Sequence, residues 1–198
     1  MRKTLDKLIS WTGFIMAAVL LVAGGLLIYA SNFVGNNVKE QLSQQNITMP
    51  AAAALETQDQ KDALLQYAGQ KMENGAQAKA FADHYILVHM NTSSNNKTYS
   101  EVSSEYMKAA KDPNADPAAV AALGELRQSL FMGTTLRGML LNAYAFATLG
   151  TIAMWAAIAA FAGSALMFVL GFLGIRHAHK VEGIDAPAIE SIPATVNA

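Results

Sequence analysis

Two long stretches of this 198-residue chain contain no Asp, Glu, Lys or Arg, and no other feature constrains the fold as much. They cover residues 8–38 and 138–175. Roughly 20 apolar residues in helical form are enough to cross the hydrocarbon core of a bilayer. The two stretches therefore exclude a simple soluble enzyme and a disordered chain, and they leave room for one small domain outside a bilayer.

The most apolar parts of these stretches predict two transmembrane helices, at 11–30 and 151–175. Trp11 and Tyr29 lie at the two ends of the first helix, and Trp155 lies near one end of the second. Amphipathic rings favour the headgroup region at such positions. A cleaved signal peptide is the alternative for the first helix, but its apolar stretch is longer than the usual run of about 7–15 residues.

The second uncharged stretch is longer than a bilayer requires, because its 38 residues would extend about 57 Å as one helix. Residues 136–149 mix polar side chains with apolar ones, and we expect them to continue the second helix out of the membrane. A third, short span with its break at Gly150 is the alternative.

Cationic residues flank both predicted spans on the same side. Arg2, Lys3 and Lys7 precede the first span, and Arg176 and Lys180 follow the second. Because Lys and Arg concentrate in cytoplasmic segments, both termini are expected to be cytoplasmic. The predicted anchoring residues at the membrane surfaces are Trp11, Tyr29, Trp155, Arg176 and Lys180. The predicted parts outside the spans are a cytoplasmic N-terminus at 1–10, an extracytoplasmic helical domain at 31–150 and a flexible cytoplasmic tail at 176–198.

The extracytoplasmic domain is predicted to consist of short helices without a sheet, because it lacks alternating β-branched residues. Residues 57–60 and 98–101 have the spacing of capping boxes, which start helices. Asp116 is a suitable N-cap and Pro117 suits a first helical turn. The remaining predicted features are the end of the first short helix at Asn74 and Gly75, a helix at 76–90 and a polar loop at 91–96.

The order of four segments resembles a known group of proteins. The segments are 41–50, which follows the first span, and then 80–84, 97–101 and 127–131. Over about residues 1–180 the chain resembles an uncharacterised family of actinobacterial two-span membrane proteins, some of which are labelled ring-opening dioxygenases. The residues do not support that label, because such an iron site needs converging His and carboxylate ligands, and two of the four His follow the second span.

Other chemistry finds little support in the residues. The chain has no cysteine, and its 14 Lys and Arg against 15 Asp and Glu form no cationic surface for nucleic acid. His84 and His89 are separated by about 140° of helical rotation, so they would not share a face. Nucleophile elbows and phosphate-binding loops are absent from the sequence. We therefore expect no enzyme, no metal site and no cofactor.

Small residues recur at four-residue spacing along both predicted spans, and such residues let helices approach closely in lipid. We expect one face of each span to pack against the other, and the remaining small residues of the second span to meet another subunit. The predicted packing positions are Gly13, Ala17, Gly24 and Gly25 in the first span and Ala153, Ala156, Ala157, Ala160, Gly163 and Ser164 in the second.

Together these features predict a non-catalytic integral membrane protein, surrounded by membrane lipid, that acts as a structural or accessory subunit. Its expected partner is another membrane protein or a second copy of itself. Ion conduction is not expected, because neither span contains an ionisable residue. The alternative is an extracytoplasmic ligand-sensing module that signals through a partner.

Overall fold

The structure is a computed structural model that describes residues 2–184, with the side chains of residues 5–177. All regular elements in this part of the chain are helical, which confirms the predicted all-α fold. Of the predicted flexible tail at 176–198, residues 176–184 continue the last helix, and the remainder lies outside the described residues. The six α-helices are α1 (Arg2–Gln44), α2 (Gln58–Leu64), α3 (Gly75–Phe81), α4 (Leu87–Ser94), α5 (Tyr99–Ala109) and α6 (Pro117–Ile184).

Helices α1 and α6 are both long and apolar enough to cross a membrane, over Leu5–Gln44 and Pro117–His177. Helix α6 is continuous through Gly150. The expectation that residues 136–149 continue the second long helix is therefore confirmed, and a helix break at Gly150 is wrong.

The chain divides into two compact units, and both long helices contribute to each. The first, here called the apolar unit, combines Met1–Ile28 with Met154–Ala198. The second, here called the helical unit, is Tyr29–Ala153.

The helical unit has an apolar core to which α1, α6 and the short helices all contribute. Leu42 from α1 and Leu140 from α6 meet Leu64 from α2 and Ala78 from α3, and all four are at most 4 % exposed. Burying large apolar side chains removes them from water at a gain of about 1.5–3 kcal/mol each. This core fixes the short helices on α1 and α6.

Capping interactions start the short helices as predicted at two positions and differently at a third. Thr57 and Thr98 form capping boxes with Gln60 and Glu101, which confirms both predicted starts. Asn74 does not end the preceding helix as expected, because its side chain accepts a hydrogen bond from the Gln77 backbone N–H and begins α3.

The first short helix is shorter than its apolar spacing predicted. Helix α2 ends at Leu64 and a 3₁₀ turn follows, after which Gly69 takes the left-handed conformation with φ +70°. The chain then runs antiparallel to the segment after α1, where the Met49 N–H donates to the Gln70 oxygen at 2.8 Å. Thr48 and Lys71 form an isolated β-bridge there. These backbone bonds compete with continued helix, which apolar spacing alone does not reveal.

The expected helix at 76–90 contains a π-turn at Ala82–Ile86, between α3 and α4. Its signature is the bond from the Leu87 N–H to the Ala82 oxygen, five residues back. The predicted polar loop at 91–96 is also wrong in part, because α4 continues to Ser94 and ends at Asn95 with φ 53°. Asparagine tolerates this left-handed conformation better than most residues.

Candidate functional site

In the apolar unit, α1 and α6 meet along a seam of small residues. A Cβ added at Gly13 would lie 3.6 Å from the Cα of Gly171, and a Cβ added at Gly171 would lie 3.2 Å from the carbonyl oxygen of Ser10. The side chain of Ser10 in turn occupies the space above Gly174. Because these positions carry almost no side chain, the two backbones come into direct contact.

One hydrogen bond joins the two helices across this seam. The Ser164 hydroxyl donates to the Ala17 carbonyl oxygen at 2.8 Å. Ala17, Ala157 and Ser164 are all buried. Interhelical bonds of this kind contribute on average about 0.6 kcal/mol in a membrane, so the seam depends more on close packing than on polarity.

Larger side chains fill the seam where the opposite helix has glycine. The ring of Phe161 covers Gly24 at 3.0–3.1 Å from a Cβ built there, and a methyl group of Leu20 would lie 3.3 Å from a Cβ at Gly163. Phe14 contacts Phe168 edge-on, with ring centroids 5.4 Å apart. The seam therefore alternates direct backbone contact with aromatic and aliphatic packing.

The structure brings most of the predicted packing positions into the seam, but not all of them. Nothing lies within 4 Å of a Cβ built at Gly25, and Ala156 is exposed. Ala160 is partly buried in the apolar unit, and Ala153 is partly buried in the helical unit.

Sequence reasoning missed three small residues of the seam, Ser10, Gly171 and Gly174. The signal was present, because seam positions on α6 follow alternating steps of three and four residues at 157, 160, 164, 167, 171 and 174. A repeat of 3.5 residues is typical of two helices that wind around each other. A search for four-residue steps alone finds only parts of such a pattern.

The predicted anchoring aromatic residues all present their rings outward. Trp11, Tyr29 and Trp155 are 62 %, 71 % and 68 % exposed. Arg176 is also exposed, whereas the side chain of Lys180 lies outside the described residues. The positions of these rings are compatible with a headgroup environment.

In the helical unit, an ion cluster connects the short helices to α6. Asp83 lies in the π-turn, and its carboxylate accepts hydrogen bonds from Lys79 and from Arg137 on α6, the latter at 2.8 Å. Lys79 also lies over the ring of Tyr144, 5.6 Å from its centroid. The carboxylate is only 19 % exposed, so its two cationic partners hold it where water cannot solvate it fully.

The electrostatics of this cluster favour the ionised carboxylate. Burial raises the pKa of Asp83, but the hydrogen bonds and positive charges of Lys79 and Arg137 together outweigh it and hold the pKa below its ordinary value. The Nε of Arg137 is buried without a hydrogen-bond partner. The Asp83 carboxylate therefore connects the short helices to α6. A general acid or base would have a pKa nearer neutrality.

His84 and His89, which were not expected to share a face, have separate hydrogen-bond partners. His84 Nδ1 lies 2.7 Å from a carboxylate oxygen of Asp59, and His89 Nδ1 lies 2.8 Å from the Tyr85 carbonyl oxygen. Across residues 2–184, no three His, Cys, Asp or Glu side chains are arranged to hold a metal ion. These contacts tie α2 to the π-turn and stabilise the local helix.

Among the grooves in the described part of the helical unit, two have mainly apolar linings. One lies between α1 and α6 and is mostly apolar, and it includes Phe33, Met139 and Phe146. The other is broad and open, and Tyr106 on α5 faces Met132 and Val120 of α6 across it.

Comparison with models of protein families, with curated proteins and with solved structures finds no match to this chain.

Proposed function

We propose that this protein is a non-catalytic integral membrane protein with two spans, a structural or accessory subunit that associates within the membrane. The supporting observation is that most of the apolar surface of the two long helices is not buried within the protein. Only 11 % of the most apolar window of each long helix is buried within the protein. In the core of a soluble protein such helices would be mostly buried, and so large an apolar surface requires lipid or another protein to cover it.

The packing of α1 favours a retained membrane anchor over a cleaved signal peptide. Gly13 and Ala17 contribute to the seam with α6, while Val38 and Leu42 belong to the core of the helical unit. Cleavage after residue 30 would remove the partner of α6 in the apolar unit. The proposed orientation, with both termini cytoplasmic, rests on the cationic flanks Lys7 and Arg176.

A partner within the membrane is supported by small residues that the intramolecular seam leaves free. Ala156 and Ala159 are exposed on α6, although Ala157 and Ser164 nearby are buried. A second close-packed helix contact requires such positions. The resemblance to the actinobacterial two-span family is consistent with this proposal and stays a prediction.

The absence of cysteine makes the proposal directly testable by cysteine cross-linking in native membranes. We expect Ala156→Cys to give a cross-linked product with a short bifunctional maleimide, and mass spectrometry then identifies the partner. The matched control is Ile158→Cys, because Ile158 is 50 % exposed but lies about 200° around the helix from Ala156. No product at 156, or equal products at both positions, would contradict a specific contact.

The orientation is tested on the same cysteine-free background. A cysteine at Asn96 should react with a membrane-impermeant maleimide in intact cells, whereas a cysteine at His177 should react only after permeabilisation. Both positions are exposed, so their reactivity reports the side of the membrane. Reaction of both in intact cells would refute the proposed topology.

The ligand-sensing alternative is supported less well. The groove between α5 and α6 is its best location, but a small-molecule site normally encloses most of its ligand, and this groove is wide and open. A thermal shift of the full-length protein with a metabolite would favour the alternative.

A further inference from the structure

The groove between α1 and α6 in the helical unit is an apolar surface with polar edges. It encloses about 460 Å³ and is lined by, among others, Phe33, Asn37, Gln41, Met139, Asn142 and Phe146. Phe33, Met139 and Phe146 are 59 %, 65 % and 58 % exposed. Contiguous exposed apolar surface of this kind marks an interaction site.

None of the residues that line this groove is ionisable. Of the nearby charged residues, Lys39 pairs with Glu73 at 3.0 Å and Arg137 pairs with Asp83. Glu40 is exposed on α1 beside the groove, where it accepts a hydrogen bond from Gln44. The groove is therefore electrically neutral, although it belongs to the part of the chain that carries most of the charged residues.

The amide side chains in the groove are only partly satisfied within their own helix. Gln41 donates from Nε2 to the Asn37 Oδ1 at 2.6 Å. This leaves the N–H donors of Asn37 and the carbonyl oxygen of Gln41 available. A surface that offers both donors and acceptors in this way can pair with a copy of itself.

We propose that the occupant of this groove is the same groove of a second copy of the chain, in a twofold dimer. The inference rests on the proposed function and deepens it by naming the partner. Two copies inserted in a membrane with the same orientation have their twofold axis along the membrane normal, so residues near the axis face their own counterparts. An ionised residue there would face a like charge, and the groove has none. Asn37 of each copy donates to Gln41 of the other.

The first test places single cysteines in the otherwise cysteine-free, full-length protein in native membranes. Met139→Cys should give a covalent dimer of twice the 21.1 kDa chain mass with a short bifunctional maleimide. The control is Thr134→Cys, because Thr134 is exposed on the same helix but lies about 140° around it from Met139. The control should give no dimer above background.

The second test uses charge. Asn37→Asp and Asn37→Lys, each alone, should reduce the dimer by about 100-fold, because each places like charges opposite each other. Co-expression of the two variants should restore a mixed dimer. A lost dimer that the opposite charge rescues cannot be attributed to misfolding.

Several outcomes would overturn the proposal. Equal cross-linking at 139 and 134, or none at either, shows that the groove does not face itself. A product of another mass at 139 identifies a different protein as the occupant, and a cysteine that resists maleimide without dimerising indicates lipid. If the groove positions fail in these ways while Ala156→Cys still gives its product, only the dimer is refuted and the accessory function stands.

Discussion

Replacing Gly75 by alanine should loosen α3 from α6. Gly75 is the first residue of α3, and a Cβ at this position would lie 2.5 Å from the Cβ of Ala147 and 3.0 Å from the Cα of Tyr144. Neither atom belongs to a flexible side chain that can rotate away. The two helices must therefore separate to accommodate one methyl group.

The expected change in stability combines a cost of overpacking and a gain in helix propensity. Overpacking of this kind costs about 1–3 kcal/mol, and rigid neighbours place Gly75→Ala near the upper end of this range. The higher helix propensity of alanine is about 1 kcal/mol in a helix interior and offsets at most this much at the first helical position. The expected net loss is about 2 kcal/mol, which raises the equilibrium constant for local opening by about 30-fold.

Amide hydrogen exchange on the full-length protein in detergent measures this opening in peptides from α3. Gly138→Ala is the matched control, because nothing lies within 4 Å of a Cβ at that position, and it should leave the protection of α3 unchanged. The double variant with Ala147→Gly should recover part of the loss, since the closest contact is removed and the one to Tyr144 remains. Protection of α3 in Gly75→Ala equal to or above that of the wild type would refute the described packing.

Two further predictions concern the seam and the ion cluster. The pair Ser10→Cys and Gly174→Cys should form an intramolecular disulfide on oxidation, because the two Cβ atoms would be 3.5 Å apart, within the usual range of about 3.5–4.5 Å. The control pair, Thr12→Cys with Gly174→Cys, should form none. A disulfide in the control pair alone would show a different register of the two helices. Asp83→Asn should cost about 1.5–3 kcal/mol of stability at neutral pH, because it removes a charged partner of Arg137. Since the pKa of Asp83 is held below its ordinary value, the carboxylate stabilises the fold above pH of about 4, and this contribution is lost as pH falls through the lowered pKa. Unfolding of wild type and variant followed between neutral and acidic pH should therefore converge at low pH, and parallel curves would exclude Asp83 as a source of the pH dependence.

The elements that the sequence predicts well are those governed by local chemistry. The two long helices follow from uncharged length, and the starts of α2 and α5 follow from capping side chains at Thr57 and Thr98. The antiparallel pairing of the chain after α2 with the segment after α1 was missed, because it depends on backbone hydrogen bonds between segments that are distant in sequence. The π-turn was also missed, since nothing in residues 82–86 departs from an ordinary helical pattern.

The candidate site was also predicted in part, and its long-range contacts were missed. Small residues in both spans indicated that the helices pack closely, but the register that pairs Ser10 with Gly174 depends on both helices at once. The ion cluster could not be anticipated from spacing, because 54 residues separate Asp83 from Arg137. Arg137 is the last charged residue before the second uncharged stretch. It reaches the Asp83 carboxylate only in the folded helical unit.

The contacts of α1 and α6 also change in character along the two helices, as a passage from lipid to water in the proposed topology would explain. In the apolar unit the seam combines close contacts of serine, glycine and alanine with packing of Phe14 and Phe161, and Ser164 is its polar link. In the helical unit the same two helices contribute Val38, Leu42 and Leu140 to the core. Water drives large apolar side chains together, whereas lipid offers no such drive and helices in it associate by close approach of their backbones. The same pair of helices thus packs in two ways, with close backbone contact reaching as far as Ser31 and Gly150 before the apolar core begins at Val38 and Leu140.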